Sequence, residues 1–365
     1  MIKFENITKK YTNTKIPAVD NLNLHIKEGE ICILVGPSGC GKTTTMKMVN
    51  RLIEPTSGNI YINGENIKDQ NPVQLRRNIG YVIQNIGLFP HMTIAENIAT
   101  VPKEKNWDKD RINARVDELL ELMELNPATY KNRKPSNLSG GQRQRVGVAR
   151  ALAADPPVML MDEPFGALDP ITRSKLQNEF LHIQDKIKKT IIFVTHDIDE
   201  AIKMGDRIVV MRQGEIVQQG TPDDILTTPS DEFVENLVGG NRSIKRLNLI
   251  RCEEIMHNAF SVKMNTPISE AISIMNQNGL KTIALTDEKK LNGFIRLKDI
   301  EGKGGSAGGF KRESEVTVEE RMSLNDALSE MLRIGQRYIY VINEEEHLKG
   351  WIGINDILNA VSDND

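Results

Sequence analysis

Long apolar runs, cysteines and aromatic residues are all scarce in this chain of 365 residues. No apolar run approaches the roughly 20 residues that cross a bilayer, so the chain is not expected to span a membrane. The three cysteines, Cys32, Cys40 and Cys252, form no metal-ligand spacing, and their odd number favours free thiols. The first residues alternate as a strand does, without the regions of a secretion signal. These absences predict a cytoplasmic protein.

An excess of charge of either sign is also absent. The net charge is −3, and neither the first 240 residues nor the remainder is basic. A nucleic-acid or lipid surface is therefore not expected, and any association with a membrane should pass through a protein partner. Apolar and charged contents of 39% and 27% are ordinary for a globular protein, and the length predicts at least two domains.

The most informative segment is a glycine-rich loop with the sequence Gly36-Pro37-Ser38-Gly39-Cys40-Gly41-Lys42-Thr43. Its glycines allow consecutive backbone N–H groups to turn towards phosphates, Lys42 can reach the outer phosphates, and the Thr43 hydroxyl can bind magnesium. The apolar run 31–35 leads into the loop and helical spacing follows it, which is the context that a phosphate-binding loop requires. This loop alone indicates a nucleotide-binding protein.

Three further signatures follow the phosphate-binding loop. They are Leu138-Ser139-Gly140-Gly141-Gln142, the apolar strand 158–161 ending in Asp162-Glu163, and His196 after the apolar run 191–195. A carboxylate pair at the tip of a buried strand suits a magnesium ligand and a group that activates water, since phosphoryl transfer needs positioning and neutralisation of charge. A kinase, a GTPase or a Rossmann enzyme has no use for the Leu-Ser-Gly-Gly-Gln signature. The four signatures in this order predict ATP hydrolysis.

Apolar periodicity predicts an alternation of strands and helices up to about residue 240. The expected strands are 2–5, 22–26, 31–35, 158–161, 191–194, 208–211 and 216–217. A helix is expected at 44–54, and the pattern from about 74 to 155 is helical, which predicts a helical insertion. This alternation favours a largely parallel, doubly wound α/β sheet.

The remaining residues contain an internal repeat. The pattern of 268–300 recurs some 56 or 57 residues later at 324–357, and each copy predicts a helix, two strands and a helix. The glycine-rich segment 302–309 between them has the composition of a flexible linker. Period and pattern predict a duplicated α/β unit.

The four signatures together resemble those of the ATPase subunits of ABC transporters, over about residues 1–240. The resemblance implies a P-loop NTPase domain with a helical subdomain, in which two copies clamp each ATP between the phosphate-binding loop of one and the Leu-Ser-Gly-Gly-Gln of the other. It implies that the loop Ala167-Leu168-Asp169 links the two sites. Tyr11 matches the aromatic residue that stacks on adenine, although a partly buried core tyrosine fits that position too.

The resemblance assigns a role to each matching residue. Catalysis falls to Lys42, Gln84, Glu163 and His196, and Mg²⁺ binding to Thr43, Gln84 and Asp162. Nucleotide binding falls to Tyr11, Gly36, Pro37, Ser38, Gly39, Cys40, Gly41, Lys42, Thr43, Thr44, Ser139, Gly140, Gly141, Gln142 and Asp169. The expected domains are an ABC ATPase domain at 1–240 and two repeats at 250–303 and 310–365.

The C-terminal repeat resembles a tandem pair of CBS domains. Related modules bind adenosine-containing ligands through a Ser or Thr three residues before a final Asp, whereas Arg296 and Gly353 occupy those positions here. The candidate regulatory residues are Arg296, Asp299, Tyr338, Tyr340 and Asp356, and the aromatic ones are equally suited to filling a small core. The resemblance implies two kinds of regulation, since some related importers respond to cyclic di-AMP through their CBS domains and others respond to ionic strength at an anionic membrane. Cyclic di-AMP is the expected ligand here because residues 241–365 carry no net positive charge, and another nucleotide, or none, is the alternative.

The run 79–93, together with the CBS pair, resembles the ATPases of glycine betaine, carnitine, choline and proline importers. The implied partners are a second copy of the chain, two integral-membrane permease subunits and, indirectly, an extracellular solute-binding protein. The implied location is the cytoplasmic face of the cell membrane, with no nucleic-acid partner. The alternatives are the ATPase of an importer for another solute, such as an amino acid, and an ABC ATPase outside transport.

Overall fold

A computed structural model describes residues 1–12, 14–84, 87–166, 168–313 and 316–362. Asn85 and Ile86 of the run 79–93, and Ala167 of the linking loop, lie outside the described residues. The chain divides into two compact units, Met1–Gly240 and Asn241–Asp365.

The first unit contains ten strands and eleven α-helices among its described residues. The strands are β1 (Ile2–Lys9), β2 (Val19–Ile26), β3 (Ile31–Val35), β4 (Ser57–Ile62), β5 (Glu65–Asn66), β6 (Ile79–Val82), β7 (Val158–Asp162), β8 (Thr190–Thr195), β9 (Arg207–Arg212) and β10 (Glu215–Gly220). The helices are α1 (Lys42–Val49), α2 (Pro72–Arg77), α3 (Ile94–Ile98), α4 (Thr100–Glu104), α5 (Lys109–Leu122), α6 (Pro127–Tyr130), α7 (Gly140–Leu152), α8 (Pro170–Ile187), α9 (Ile198–Met204), α10 (Pro222–Thr227) and α11 (Glu232–Val238).

The main sheet of the first unit has six strands in the order β10-β9-β3-β8-β7-β6. All neighbours are parallel except the hairpin of β9 and β10, so the predicted α/β class and its largely parallel sheet are confirmed. Every residue of β3, β7 and β8 is buried. Continuous apolar sequences form such strands because helices cover both faces of a parallel sheet.

The register of this sheet places the chemistry-bearing segments at one edge. Val35 pairs with Thr195, and Asp162 pairs with Val194. Because parallel strands end at the same edge, the phosphate-binding loop, Glu163 and His196 all follow strands that terminate side by side. The fold thus brings together three of the four sequence signatures.

A second, four-stranded antiparallel sheet of order β2-β1-β4-β5 completes the first unit. Its Phe4, Leu24 and Ile60 share one apolar core with Leu34 of β3 and Met46 of α1. Helix α1 therefore lies within a common core of both sheets, which fixes the direction of its N-terminus. The helix is shorter than predicted, since it ends at Val49 and Arg51 adopts a left-handed φ of 53°.

The prediction of a helical segment from 74 to 155 is wrong at one place. Ile79–Val82 forms β6, which pairs in parallel with β7 at the edge of the main sheet. Helices α3 to α7 make up the rest of the insertion, with Val116, Leu119 and Leu120 buried on one face of α5. The four-residue strand is too short to interrupt the helical periodicity of its surroundings.

The second unit contains two copies of one motif. Its helices are α12 (Arg242–Arg246), α13 (Cys252–Ile255), α14 (Ile268–Gln277), α15 (Leu297–Ile300), α16 (Leu324–Ile334) and α17 (Ile354–Ser362). Its strands are β11 (His257–Asn258), β12 (Ser261–Lys263), β13 (Thr282–Asp287), β14 (Lys290–Arg296), β15 (Thr317–Glu319), β16 (Tyr338–Ile342) and β17 (Leu348–Gly353). The sheets have the orders β12-β13-β14 and β11-β17-β16-β15, so the predicted duplication is confirmed.

The glycine-rich segment 302–309 is packed rather than free. Ala307 is fully buried, and the N–H groups of Ala307 and Gly308 donate to the carbonyls of Thr266 and Met264 at 2.8 Å each. A 3₁₀ turn at Ala307–Phe310 follows. Composition predicted a flexible linker because it carries no information on these long-range backbone contacts. Among the helices of the described residues, none has the length and apolarity needed to cross a membrane.

Candidate functional site

The phosphate-binding loop connects β3 to α1 at the edge of the main sheet. Lys42 is only 6% exposed, and its Nζ donates to the carbonyl oxygens of Gly36 at 2.7 Å and Pro37 at 3.0 Å. The same Nζ lies 3.7 Å from Sγ of the buried Cys40. The ammonium group is thus held inside the loop, where it can exchange these carbonyl partners for phosphate oxygens. Ser38 and Gly39 at the tip of the loop are exposed, and Thr44 is half-buried in α1.

Two glycines of the loop cannot be replaced without strain. Gly36 has a φ of 150°, and a Cβ there would lie 2.2 Å from the carbonyl oxygen of Met211. Gly41 has a φ of 107°, and its Cβ would lie 2.4 Å from the carbonyl oxygen of Ala18. Both glycines let the loop backbone lie closer to neighbouring backbone carbonyls than any residue with a Cβ could.

Thr43 and Asp162 bring two oxygen ligands together beside this loop. Oγ1 of Thr43 donates a hydrogen bond of 3.1 Å to Oδ1 of Asp162. Burial raises the pKa of the Asp162 carboxyl, and the Glu163 charge raises it too, whereas the Thr43 hydrogen bond and nearby lysines oppose the shift. A hydroxyl and a carboxylate at the edge of a phosphate site match the hard oxygen ligands that Mg²⁺ prefers. These side chains therefore fit the metal that the sequence predicts.

Glu163, Gln84 and His196 form one hydrogen-bonded cluster. Oε2 of Glu163 accepts a bond of 3.0 Å from Nε2 of Gln84, and Oε1 lies 3.2 Å from Nδ1 of His196. Glu163 has a φ of 44°, an uncommon conformation for a residue with a side chain, and its N–H donates to the carbonyl of Val194. The left-handed backbone conformation turns the chain out of β7. The Glu163 carboxylate then contacts Gln84, which follows β6, and His196, which follows β8.

The signature 138–142 forms the start of helix α7. Ser139 and Gln142 form a capping box, in which each side chain accepts a hydrogen bond from the backbone N–H of the other. Nε2 of Gln142 also donates to the Tyr130 hydroxyl at 3.1 Å. The two glycines pack on the chain that begins α8, since a Cβ at Gly140 would lie 3.5 Å from Leu168. The signature is therefore held in place by its capping box and by contacts with Tyr130 of α6 and with the chain at the start of α8.

Tyr11 and Asp169 occupy more exposed positions. The Tyr11 side chain is 40% exposed, and Nζ of Lys9 lies 5.1 Å from the centre of its ring. Asp169 caps α8, where its Oδ1 accepts from the N–H of Thr172 at 3.0 Å. Hydrogen bonds from Thr172 hold the pKa of the Asp169 carboxyl below its usual value.

The second unit contains a cavity of about 840 Å³ between its two repeats. Three of the predicted regulatory residues, Tyr338, Tyr340 and Asp356, line it, together with Trp351. Sequence reasoning gave no role to the two cationic side chains in the wall, Lys281 and Arg337. The wall of the cavity therefore combines aromatic rings with two cationic side chains and the carboxyl group of Asp356.

The other two predicted regulatory residues do not line this cavity. Asp299 forms an ion pair of 2.7 Å with Nε of Arg312, and the guanidinium of Arg296 lies 5.6 Å from the Phe294 ring centre. Asp356, in contrast, lies at the cavity but is paired internally, since Nε2 of His257 lies 3.0 Å from its Oδ1. The equivalent aspartates of the two repeats thus each contact the side-chain nitrogen of a residue outside their own helix, Arg312 for Asp299 and His257 for Asp356.

Comparison with known proteins is consistent with this geometry. Residues 19–166 match the ABC transporter family, and residues 252–302 and 309–363 each match the CBS domain. The osmoprotectant import ATP-binding protein OsmV of Salmonella typhimurium is 47% identical, over 99% of this chain and 96% of its own length. The glycine betaine/carnitine/choline transport ATP-binding protein OpuCA of Bacillus subtilis is 48% identical, over all of this chain and 97% of its own length.

Solved structures extend the comparison to assembly. The dimeric ATP-binding cassette MJ0796, in a post-hydrolysis state with ADP and phosphate, has a TM-score of 0.55 and 38% identity. The matched region covers 61% of this chain and 99% of the MJ0796 chain. The fold and the site define an ATPase of the ATP-binding cassette class. The chain belongs to the family of ABC transporter ATP-binding proteins with a C-terminal CBS pair, together with the osmoprotectant import proteins described above.

Proposed function

We propose that this protein hydrolyses ATP to drive the uptake of a quaternary-ammonium osmoprotectant through separate permease subunits at the cytoplasmic face of the membrane. The observation that carries the proposal is the cluster of Glu163, Gln84 and His196 beside the phosphate-binding loop. The full-length similarity to import proteins for glycine betaine, carnitine and choline supports the choice of solute. The ATPase itself is a property of the family.

The residues at the sheet edge divide the reaction among them. Lys42 and the N–H groups of the loop neutralise the phosphates, and Tyr11 stacks on the base. Thr43, Asp162 and Gln84 would hold a Mg²⁺ ion, which would supply neutralisation of phosphate charge when it is bound. Glu163 accepts a proton from the attacking water. The oxygen of that water bonds to the γ-phosphorus as the bond between the γ-phosphorus and the β-phosphate oxygen breaks, and His196 orients the γ-phosphate.

Two copies of the chain are needed for a complete site. The start of α7 presents the Ser139 hydroxyl together with the first backbone N–H groups of the helix, at Gly140 and Gly141, which suits a phosphate of the opposite copy. Asp169 lies at the start of α8 beside this signature. The ATP-binding cassette MJ0796, which shares this fold, forms a dimer, and its dimerisation supports this arrangement.

A cleft in the first unit suits a permease segment. It has a volume of about 370 Å³ and includes Leu52, Phe89 and Arg150 in its wall. Leu52 and Phe89 are 50% and 40% exposed, so the wall of the cleft offers apolar surface that a docked segment can cover. Since β6 runs from this cleft towards Gln84, a docked segment would act on the cluster around Glu163.

The second unit acts as a regulator in this proposal. Residues 1–240 form the nucleotide-binding domain, and 250–303 and 310–365 form the two CBS domains. The aromatic cavity with Lys281 and Arg337 in its wall suits a nucleobase with an anionic phosphate, and cyclic di-AMP has both. An internal pair between His257 and Asp356 would have to adjust to such a ligand.

The test is the substitution Glu163→Gln, which keeps the shape of the side chain and its hydrogen bond from Gln84 but removes the proton acceptor. The variant is expected to bind ATP, to accumulate as a dimer in light scattering and to lose at least about 100-fold in turnover. Glu28→Gln, an exposed residue, is the matched control and should turn over as the unmodified protein does. Hydrolysis by Glu163→Gln at the unmodified rate would contradict the proposed role.

A further inference from the structure

Arg173 lies in the first turn of α8 and bridges two loops of the ATPase site. Its Nη2 donates to the carbonyl oxygen of Leu168 at 3.1 Å, one residue before Asp169. Its Nη1 lies 3.6 Å from Oδ2 of Asp197, the residue that follows His196. One planar guanidinium therefore holds the loop before α8 and the loop after β8 at the same time.

Asp197 is itself firmly fixed to the backbone around His196. Its Oδ1 accepts from the N–H of Asp199 at 2.9 Å and caps α9, while its own N–H donates to Oγ1 of Thr195 at 3.0 Å. A force on the Asp197 carboxylate is therefore carried to the backbone that bears the His196 side chain. Because the cap and the ion pair use different carboxylate oxygens, both interactions exist together.

The path continues from His196 to the reacting group. Nδ1 of His196 lies 3.2 Å from Oε1 of Glu163, whose other oxygen accepts from Gln84. At the opposite end, the Leu168 side chain lies under Gly140 of the signature. The contacts thus run from the signature through Leu168, Arg173 and Asp197 to the His196 and Glu163 cluster.

We propose that Arg173 is a positioning residue that couples the Asp169 loop to the orientation of His196 and Glu163. The proposal rests on the ATP hydrolysis proposed above. When a second copy closes on the Asp169 loop, Arg173 carries the displacement to the His196 loop and brings Glu163 into its reactive position. Arg173 touches neither the nucleotide nor the reacting water in this role, so it acts on turnover and not on ATP affinity.

The experiment compares steady-state ATP hydrolysis by the full-length protein and four variants. Arg173→Met removes both contacts, and a roughly 10- to 100-fold lower kcat is expected with a KM for ATP within about threefold of the unmodified value. Arg173→Lys keeps the positive charge but not the planar guanidinium with its two N–H groups, so its kcat should lie between those of Arg173→Met and the unmodified protein. Asp197→Asn keeps the helix cap but loses the charge, and is expected to lower kcat as well. Lys175→Met is the control, since Lys175 lies on the same helix with 73% of its side chain exposed.

The double variant Arg173→Met, Asp197→Asn separates coupling from general damage. If Arg173 acts through Asp197, the double variant is no slower than the slower single variant, because the path is already broken. Multiplicative losses, a raised KM, or a kcat in Arg173→Met equal to that of Lys175→Met would each overturn the proposal. Absence of ATP hydrolysis by the unmodified protein would instead refute the proposed function, so the two failures are distinguishable.

Discussion

Nε2 of Gln84 donates a hydrogen bond of 3.0 Å to Oε2 of Glu163, while His196 occupies the other oxygen of the same carboxylate. Gln84 follows β6 at the edge of the main sheet, next to the cleft that contains Phe89. The contact therefore connects the group that we assign to water activation with the surface that we assign to the permease. We propose that release or adjustment of this bond is the means by which the membrane partner controls hydrolysis.

Gln84→Ala tests this connection in the isolated protein. Loss of the side chain leaves one oxygen of Glu163 without its partner and removes a proposed Mg²⁺ ligand, so kcat at saturating ATP and Mg²⁺ is expected to fall at least about tenfold. Gln70→Ala is the matched control, since Nε2 of Gln70 donates to the surface carboxylate of Glu65 at 3.1 Å. Equal kcat values for the two variants would refute the role.

Phe89→Asp and Leu52→Asp test the permease cleft. A charge in this half-exposed apolar wall has to be desolvated on docking, so each variant should lose most of its co-purification with the membrane fraction. ATP hydrolysis by the isolated variants should be unchanged. Leu332→Asp, at an apolar residue of the second unit that is 66% exposed, is the control. Membrane recovery that falls equally in all three variants would contradict docking at the cleft.

Trp351→Ala tests the regulatory cavity. Stacking on a base contributes about 1 to 3 kcal/mol, so the variant should bind cyclic di-AMP at least about fivefold more weakly in calorimetry of the full-length protein. Trp107→Ala is a natural control, because the other tryptophan lies in the first unit under the guanidinium of Arg111 at 3.6 Å. Wild-type affinity in Trp351→Ala would place the ligand elsewhere, and no binding by the unmodified protein would refute this ligand.

Glu200 predicts a dependence of stability on pH. Burial raises the pKa of its carboxyl above the ordinary 4.5, against hydrogen bonds from Thr195 and Gln177. The folded protein therefore keeps this proton at pH values where the unfolded chain has lost it. The associated stabilisation is complete below the ordinary pKa and is lost as pH rises through the raised one, by about 1.4 kcal/mol for each pH unit in that window.

Glu200→Gln removes this titration. As pH rises through the window, the free energy of unfolding should fall for the unmodified protein relative to the variant. Above the window, the difference between the two should no longer change. Urea unfolding from about pH 4.5 to about pH 8 measures it, with Trp107 fluorescence in a Trp351→Phe background as a probe of the first unit. The exposed Glu28→Gln should give a difference that does not change with pH. A constant difference for Glu200→Gln would refute the prediction.

The sequence predicted the elements of the site better than their contacts. Apolar runs that end in glycine, Asp162 or His196 define β3, β7 and β8, because complete burial selects for such strands. The assigned role of every site residue stays a prediction. Strand β6 was missed because four residues do not outweigh the helical periodicity around them.

Contacts across the fold left no local pattern in the sequence. The pairing of Arg312 with Asp299 spans 13 residues, and that of Arg173 with Asp197 joins two separate crossovers of the sheet. Period and composition report which face of an element is buried, whereas such ion pairs depend on where the elements meet. The packed segment around Ala307 was misjudged for the same reason.

The most direct test of the whole account is the uptake of radiolabelled glycine betaine by cells at high osmolality, in a strain whose own copy of this gene is replaced. The unmodified protein should support uptake, Glu28→Gln should match it, and Glu163→Gln should reduce uptake to the level of the deletion strain. Uptake of a labelled amino acid should be the same in all strains. Full glycine betaine uptake with Glu163→Gln, or loss of amino-acid uptake alone, would contradict the account.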